Sequence, residues 1–338
     1  MKLKYLKGQN IFISGGTGSF GKKMISFLLK NSDANKIIIY SRDEQKQYQL
    51  KKKYNSKNIR FLLGDVRDKD RLAFAMRNTD IVIHAAALKH VDMAEYNPFE
   101  YINTNVIGAQ NIINAALKNK VKKVIALSTD KASSPANLYG ATKLLSDKLF
   151  IAANNYKGSE NIKFSVVRYG NVMGSRGSVV PLFLNQIKEK FLTITNPNMT
   201  RFNITLEEGV SFVALALKEM LGGEIFIPKL KSYRIADLVK AILPKAKIKY
   251  IGSRPGEKMH EEMISVHDSV NTAEFSNYYV ILPNSENYYL NLKEYLKIKK
   301  NCKKVHGDFS YNSATNKNFL TCDEINLLIK ASISDFEF

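Results

Sequence analysis

Hydrophobic residues in this chain fall into short, nearly continuous runs separated by amphipathic stretches. Asn10–Ser14, Lys36–Tyr40, Ile59–Leu63, Asp80–His84, Val121–Leu127 and Lys163–Val167 are rich in Ile, Val, Leu and Phe. Runs this short and this apolar read as strands buried on both faces. Between them, Lys22–Lys30, Asp68–Arg77, Asn97–Lys118 and Tyr139–Asn155 space their apolar residues as helices do, and Pro98 opens the third. Strand and helix alternate at intervals of roughly 20–40 residues, which predicts a doubly wound parallel sheet of the α/β class. After about residue 170 the pattern changes to loops, helical stretches at Val179–Lys190 and Ile235–Leu243, and short strands such as Glu224–Ile227. Residues 1–170 are therefore expected to form the sheet domain, with later strands or helices returning to it. Residues 171–338 are expected to form a smaller substrate-binding lobe over the C-terminal edge of the sheet, followed by a tail. Beyond Asn284 the tail is polar and rich in Lys and Asn, and only a terminal helix near Asp323–Ser332 is legible.

The turn after the first strand carries the first chemistry. Gly15, Gly18 and Gly21 sit in Gly-Gly-Thr-Gly-Ser-Phe-Gly, between the first strand and the first helix. Glycine at these places permits a tight turn, close approach of backbone to a pyrophosphate, and close helix–strand packing. A structural turn alone needs no such triplet, so a Rossmann-type dinucleotide site is expected, with Thr17, Ser19 and Phe20 completing the loop. At the second strand's tip stand Ser41, Arg42, Asp43 and Lys46. An acid there favours a free ribose 2′-hydroxyl, whereas a guanidinium accommodates a 2′-phosphate. Asp43 pulls one way and Ser41, Arg42 and Lys46 the other, and NADP is favoured over NAD. Asp65 and Val66, after the third strand, are placed to meet the adenine. Ala85 and Ala86, after the fourth, are small enough for the cofactor to lie against the backbone. His84 reads as a packing residue at a strand end, and Lys89 as the better candidate for ligand contact at the mouth of the site. Thr104, on the helix that follows, is a further cofactor candidate.

The stretch from Ser128 to Lys143 is where a reaction would happen. The fifth strand delivers Ser128, Thr129, Asp130 and Lys131 at its C-terminal end, where open α/β sheets hold ligands. Tyr139 and Lys143 stand four residues apart, on one helical face. A lone Tyr-x-x-x-Lys is common on solvated helices. Opposite a hydroxyl, a carboxylate and an amine, however, it suits proton transfer coupled to oxidation of a carbinol carbon. Downstream, Asn171, Ser175 with Arg176, Arg201, and Arg254 with Glu257 and Lys258 form polar clusters in the lobe, with Val172 expected beside the cofactor. Arginines on separate loops suit a diphosphate, which they grip bidentately.

Composition narrows the class. The 338 residues carry a net charge of +20 and two cysteines, Cys302 and Cys322. Two cysteines make neither a disulfide framework nor a metal pattern. No apolar run approaches the roughly 18–20 residues of a membrane span, and the N-terminus lacks a signal-peptide core, so a cytoplasmic protein with no membrane partner is expected. The lysines are scattered along the chain without a recognition helix or aromatic RNA-binding motif, so no nucleic-acid partner is expected. Part of the charge would help attract a polyanionic substrate.

Taken together, the glycine turn, the strand-end Thr129 and Tyr139-x-x-x-Lys143 resemble the extended short-chain dehydrogenase/reductase superfamily. More narrowly, Tyr-Ser-Arg-Asp-Glu at 40–44, Gly-Asp-Val-Arg-Asp at 64–68, Ser-Thr-Asp-Lys-Ala at 128–132, Arg-Tyr-Gly-Asn-Val at 168–172 and Arg-Pro-Gly-Glu-Lys at 254–258 are similar to the UDP-N-acetylglucosamine 4,6-dehydratases of the 5-inverting type. That resemblance implies a lyase acting on UDP-N-acetylglucosamine at the start of pseudaminic acid synthesis, with NADP regenerated in each turnover, and a homo-oligomer with a hexamer as one form. It implies Thr129, Tyr139 and Lys143 for oxidation at C4, Lys131 as base at C5 and Asp130 as acid at the C6 hydroxyl. It also implies sugar-nucleotide contacts by Lys89, Ser128, Thr129, Asn171, Val179, Arg201, Arg254 and Glu257. Related deoxyhexose-pathway dehydratases carry Asp-Glu where this chain has Asp130-Lys131, and 4-epimerases carry neither acid. A retaining 4,6-dehydratase and a 4-epimerase of a UDP-sugar are the alternatives. Asn203 stands where the resemblance implies a bulkier, often aromatic residue.

Overall fold

The structure is a computed structural model describing residues 2–174, 179–186, 191–245, 247–253, 255–284 and 290–333. Six parallel strands form its centre: β1 (Asn10–Ser14), β2 (Lys36–Ser41), β3 (Ile59–Leu63), β4 (Ile81–His84), β5 (Lys123–Thr129) and β6 (Lys163–Tyr169). They lie in the order β3-β2-β1-β4-β5-β6, so the chain reverses its direction of winding between β1 and β4. A ligand crevice forms at such a reversal. β5 and β6 pair residue by residue from Lys123↔Lys163 to Thr129↔Tyr169, which fixes the height of the β5 end that carries Thr129.

Alternation along the strands feeds two separate cores. Ile11 and Ile13 of β1 pack on one face with Met24, Ile25 and Leu28 of the helix Ser19–Asn31. Phe12, between them, packs on the other face with Tyr40, Ile112, Ile113 and Phe150. Each fully buried side chain of this size contributes about 1.5–3 kcal/mol relative to exposure. The long helix expected over 97–118 is three pieces: α-helical Pro98–Tyr101, a π-helical Ile102–Ile107, and α-helical Gly108–Lys118. Within the π segment Asn105 holds the loop after β4: its Nδ2 donates to the Leu88 carbonyl and its Oδ1 accepts from the Leu88 N–H, both at 2.9 Å.

The later half of the chain returns to the sheet more extensively than its pattern suggests. The run expected as a lobe strand, Glu224–Ile227, forms Ile225–Pro228 and pairs parallel with β6. Tyr278–Ile281, Thr272–Glu274 and Lys303–Lys304 then extend the sheet antiparallel to its ten-stranded edge. These strands are short and sit between polar turns, which hides their burial from a pattern search. The helix Leu206–Glu219 also leaves the lobe to pack on Ser19–Asn31; a reciprocal Thr205–Glu208 capping box starts it.

The lobe keeps its own core of Val180, Phe183, Leu192, Ile194, Leu238, Ile325 and Ile329. Its helices are Val179–Gln186, Ile235–Ile242 and Cys322–Ile333. A three-stranded sheet of Asn171–Val172, Thr200–Ile204 and Lys231–Arg234 carries Asn171, Arg201 and Asn203 beside the end of β6. Among the described residues, no helix is long and apolar enough to cross a membrane.

Candidate active site

A cleft of about 1280 Å³ runs from the glycine turn to the lobe. At one end Gly15 has φ +68°, and a Cβ there would lie 2.7 Å from the Ala86 nitrogen. A Cβ on Gly21 would lie 2.4 Å from the Gly16 carbonyl oxygen. Both positions therefore exclude a side chain, one through backbone conformation and contact, the other through contact alone. Gly18 precedes the helix Ser19–Asn31 and supplies no side-chain cap, which leaves that helix's first N–H groups to serve an anion. Thr17, Ser19 and Phe20 line the same wall. This cradle fits the diphosphate of a nicotinamide dinucleotide. Behind it, Ser14 Oγ sits 2.7 Å from His84 Nδ1 and accepts from the Ala85 and Ala86 N–H groups at 3.2 and 3.3 Å. Burial, with Lys143 adding to it, pushes the His84 imidazole down to about 3, so it is neutral and packs.

At the tip of β2 the competing charges have separate employment. Asp43 caps the helix Glu44–Lys53, accepting from the Lys46 N–H at 2.9 Å and pairing with the Lys46 ammonium. Those hydrogen bonds hold its carboxyl below the usual carboxylate range. Ser41 Oγ accepts from Gln47. Arg42 is exposed, with Nη1 3.5 Å from Asp65 Oδ2. Burial works to raise the Asp65 carboxyl, but Arg67 at 2.7 Å and then Arg42 overcome it. Of the cofactor candidates here, Lys46 lines the cleft, whereas Ser41, Arg42, Asp43, Asp65, Val66, Ala86 and Thr104 lie behind or beyond its wall. Val66 is buried against Gly108, and Thr104 sits in the π segment with a buried hydroxyl that has no hydrogen-bond partner.

The other end of the cleft gathers the candidate reacting groups. Thr129, Asp130, Lys131, Tyr139 and Lys143 all line it, together with Ala85, Lys89, Ser128, Asn171, Val172, Val179, Arg201 and Glu257. Arg254, Ser175 and Arg176 lie outside the described residues. Tyr139 opens the helix Leu138–Tyr156, whose N-cap Asn137 accepts from the Gly140 N–H at 2.8 Å. A Cβ on Gly140 would lie 2.3 Å from the Lys131 carbonyl, so this glycine lets the tyrosine helix close on the end of β5. Burial pushes the Tyr139 phenol up to about 12, with Lys131 and Thr129 pulling against it. One turn on, Lys143 donates to the Leu127 carbonyl at 2.7 Å. Burial lowers its pKa while Asp147 opposes the shift.

Thr129 Oγ1 donates to Asp130 Oδ1 at 2.9 Å, and Lys131 Nζ donates to the same oxygen at 3.0 Å. Asp130 is fully buried, and burial raises its carboxyl above the ordinary range against the pull of Lys131. Lys131 reaches a second carboxylate, Glu261, at 3.1 Å. Burial disfavours the Lys131 ammonium, but Asp130 and Glu261 together hold it charged. Lys89, on the facing loop, is lowered by burial and by Lys131. Ser128 donates its hydroxyl to Asp147 at 2.8 Å, which also takes Arg168 at 3.2 Å. Arg201 is buried, unlike a solvated surface arginine: it donates to the Thr200 and Met259 carbonyls and pairs with Glu257 at 3.4 Å. Asn171 and Asn203 each hold a buried side-chain oxygen with no partner.

Glu261 and Asp147 are the residues sequence reasoning missed. Asp147 could have been found as the residue one helical turn beyond Lys143. Glu261 gives no such signal, since it meets Lys131 across 130 positions of chain.

Comparison with known proteins agrees with this architecture. Residues 11–283 match the model of a polysaccharide biosynthesis protein family. A Campylobacter jejuni protein named UDP-N-acetylglucosamine 4,6-dehydratase (inverting) is 60% identical over 278 residues, covering 82% of this chain and 83% of its own. A Rickettsia bellii protein named UDP-glucose 4-epimerase is 46% identical over 281 residues, 81% of this chain and 82% of its own. The X-ray structure of Pen from Bacillus thuringiensis superposes with a TM-score of 0.87 at 40% identity, over 97% of this chain and 99% of that one. The chain thus belongs to the polysaccharide biosynthesis protein family, on the scaffold of the extended short-chain dehydrogenase/reductases.

Proposed function

We propose that this protein is a 5-inverting UDP-N-acetylglucosamine 4,6-dehydratase, a hydro-lyase that yields a UDP-2-acetamido-2,6-dideoxy-4-hexulose. The observation that carries this reading is the Asp130–Lys131 pair beside Thr129, Tyr139 and Lys143, in a chain 60% identical to a relative of that name. The product is proposed to enter pseudaminic acid synthesis for surface glycans or flagellin. NADP is proposed as the resident cofactor and a homo-oligomer, with a hexamer as one form, as the working state. Arg42, exposed at the tip of β2, supports a 2′-phosphate, because Asp43 is engaged as a helix cap and by the Lys46 ammonium.

When bound, the nicotinamide supplies a hydride acceptor at C4 and a donor at C6. The chain's own residues handle the protons. Tyr139 takes the C4 hydroxyl proton; its phenol needs positive charge nearby to ionise, and Lys143 and Lys131 are the cations at hand. Thr129 orients the same hydroxyl. The C4 ketone makes the C5 hydrogen acidic. Lys131 removes that hydrogen once its own extra proton has passed to a neighbouring carboxylate. Asp130 gives its proton to the C6 hydroxyl, the C6–O bond breaks, and the C5–H electron pair closes a C5–C6 double bond as water leaves. Each positioned acid or base contributes about 10²–10⁴ in rate. Arg201, Arg254 and Lys89 are assigned to the diphosphate, and Asn171, Val179, Ser128 and Glu257 to the rest of the nucleotide sugar.

The 46% identity to a protein named as a 4-epimerase favours one rival, which would use the C4 steps alone. Incubating the purified protein with UDP-N-acetylglucosamine in heavy water, followed by mass and proton NMR, separates the two. Loss of one water with one deuterium at C5 is expected, and the C5 coupling constants report inversion. An isomeric product of unchanged mass would overturn the dehydratase reading.

A further inference from the structure

We propose that Glu261 is a positioning residue that keeps Asp130 in its proton-donating form by serving as the counter-ion of Lys131; the inference rests on the dehydratase reading above. Glu261 is 3% exposed and stands just before the strand Glu262–Ile264. Ser313 pins its backbone from both sides: the Glu261 N–H donates to Ser313 Oγ at 2.9 Å, and the Glu261 carbonyl accepts from the Ser313 N–H at 2.8 Å. Lys131 Nζ lies almost midway between two carboxylates, 3.0 Å from Asp130 Oδ1 and 3.1 Å from Glu261 Oε1. Each carboxylate has its second oxygen, Asp130 Oδ2 and Glu261 Oε2, buried without a hydrogen-bond partner.

Two buried carboxylates around one ammonium do not both ionise cheaply, because like charges at this spacing disfavour one another and an unpaired buried charge is costly. The site decides which keeps the proton. Glu261 faces a second cation, with Arg201 Nε 3.9 Å from its Oε1. Asp130 is fully buried with Thr129 and Lys131 on one oxygen and the backbone of Gly170 near the other. Tyr139, Tyr233 and Lys258 also face the pair electrostatically, and Lys258 is itself tied to the Ser133 carbonyl at 2.6 Å. The directions agree with the geometry: burial raises Asp130, whereas Lys131 and Arg201 outweigh burial and lower Glu261. Lys131 and Glu261 thus form the ion pair and Asp130 holds the proton.

The proton inventory then closes. Asp130 loses its proton to the departing water, Lys131 passes one to Glu261 and takes one from C5, and the site is left with Asp130 ionised, Lys131 charged and Glu261 neutral. Without the Glu261 carboxylate, Asp130 becomes the counter-ion of Lys131 and has no proton to give.

Infrared spectroscopy of ligand-free protein carrying ¹³C-labelled aspartate tests this directly. A protonated-carboxyl stretch at neutral pH, identified by its loss in Asp130→Asn, is expected in the wild type. It should vanish in Glu261→Gln and return in Glu261→Asp, with its titration midpoint lower than in the wild type. Its absence from the wild type, or its persistence in Glu261→Gln, would overturn the proposal. Should Glu261→Gln not fold, an unchanged midpoint in Glu261→Asp overturns it instead. With sugar nucleotide, Glu261→Gln should retain the reduced-nicotinamide absorbance of C4 oxidation and lose about 100-fold in water elimination. A wild type that releases no water from UDP-N-acetylglucosamine would refute the dehydratase reading while leaving the infrared result to stand alone.

Discussion

Replacing Lys131 with methionine probes the charge balance of the site through stability. The side chain keeps nearly its length and volume, so packing should cost less than about 1.5 kcal/mol. What changes is charge: Asp130 and Glu261 lose the ammonium that lies 3.0 and 3.1 Å away. Removing one partner of a buried pair costs about 3–5 kcal/mol, and Arg201, still 3.9 Å from Glu261, retains part of the compensation, so about 3 kcal/mol is expected. The deficit should depend on pH. In the wild type the Glu261 carboxyl is lowered, so its contribution is present above the unfolded pKa and lost as pH falls through the folded one. In Lys131→Met burial raises the same carboxyl, so stability is intact below the unfolded value of about 4.3 and is lost as pH rises above it. The gap between the two proteins therefore widens with pH, by at most about 1.4 kcal/mol per unit for one carboxyl. For a chain of this length melting as one unit, 3 kcal/mol corresponds to about 4 °C. Thermal melts of both proteins at pH 5 and pH 8 should show a deficit at both values that is larger at pH 8. An equal deficit at both values would refute the electrostatic reasoning, leaving a packing defect in its place.

Three further outcomes are expected. Tyr139→Phe should keep nucleotide-sugar binding and lose C4 oxidation by about 10²–10⁴, read as reduced-nicotinamide absorbance in a single turnover; normal oxidation would remove Tyr139 from the chemistry. Gly15→Ala must hold an alanine at φ +68° with its Cβ 2.7 Å from the Ala86 nitrogen, so it should melt lower and lose dinucleotide affinity in calorimetry. The left-handed conformation alone costs about 1–2 kcal/mol, and wild-type affinity would show that the turn has room to spare. Arg42→Ala should weaken NADP about tenfold while leaving NAD binding close to unchanged; an unaltered ratio would place the 2′-phosphate elsewhere.

The sheet and the gathering of Thr129, Tyr139 and Lys143 in one cleft were legible because their signals are local. A buried strand, a glycine turn and a tyrosine one helical turn from a lysine each fit within a few residues, and β1–β6 follow the apolar runs closely. Asp43 shows where local reading stops: as a residue type it opposes NADP, but as the N-cap of its helix it is bonded to Lys46. The π segment at Ile102–Ile107 has ordinary helical composition, and what marks it is the Asn105 amide gripping the Leu88 backbone. Glu261 was unreadable for the same reason at greater range. Nothing near it in sequence shows that it will be buried beside Lys131, and its backbone depends on Ser313, a further 52 residues on. The polar tail likewise conceals Tyr295, fully buried between the sheet and Phe275.

The attachment of Glu261 to Ser313 also bears on when the enzyme becomes competent as it is made. Chains fold largely from the N-terminus as they leave the ribosome, at about 5–20 residues per second. By the time Tyr169 has emerged, the glycine turn, Thr129, Tyr139 and Lys143 are all present, on six strands able to pair. Lys131 at that stage has Asp130 beside it but neither Glu261 nor the clasp around it. On the roles proposed above, the groups for hydride transfer thus belong to early synthesis and the completed surroundings of Lys131 to the last stretch. A chain stopped before Ser313 would keep Lys131 and Asp130 but lose the clasp that holds the Glu261 backbone.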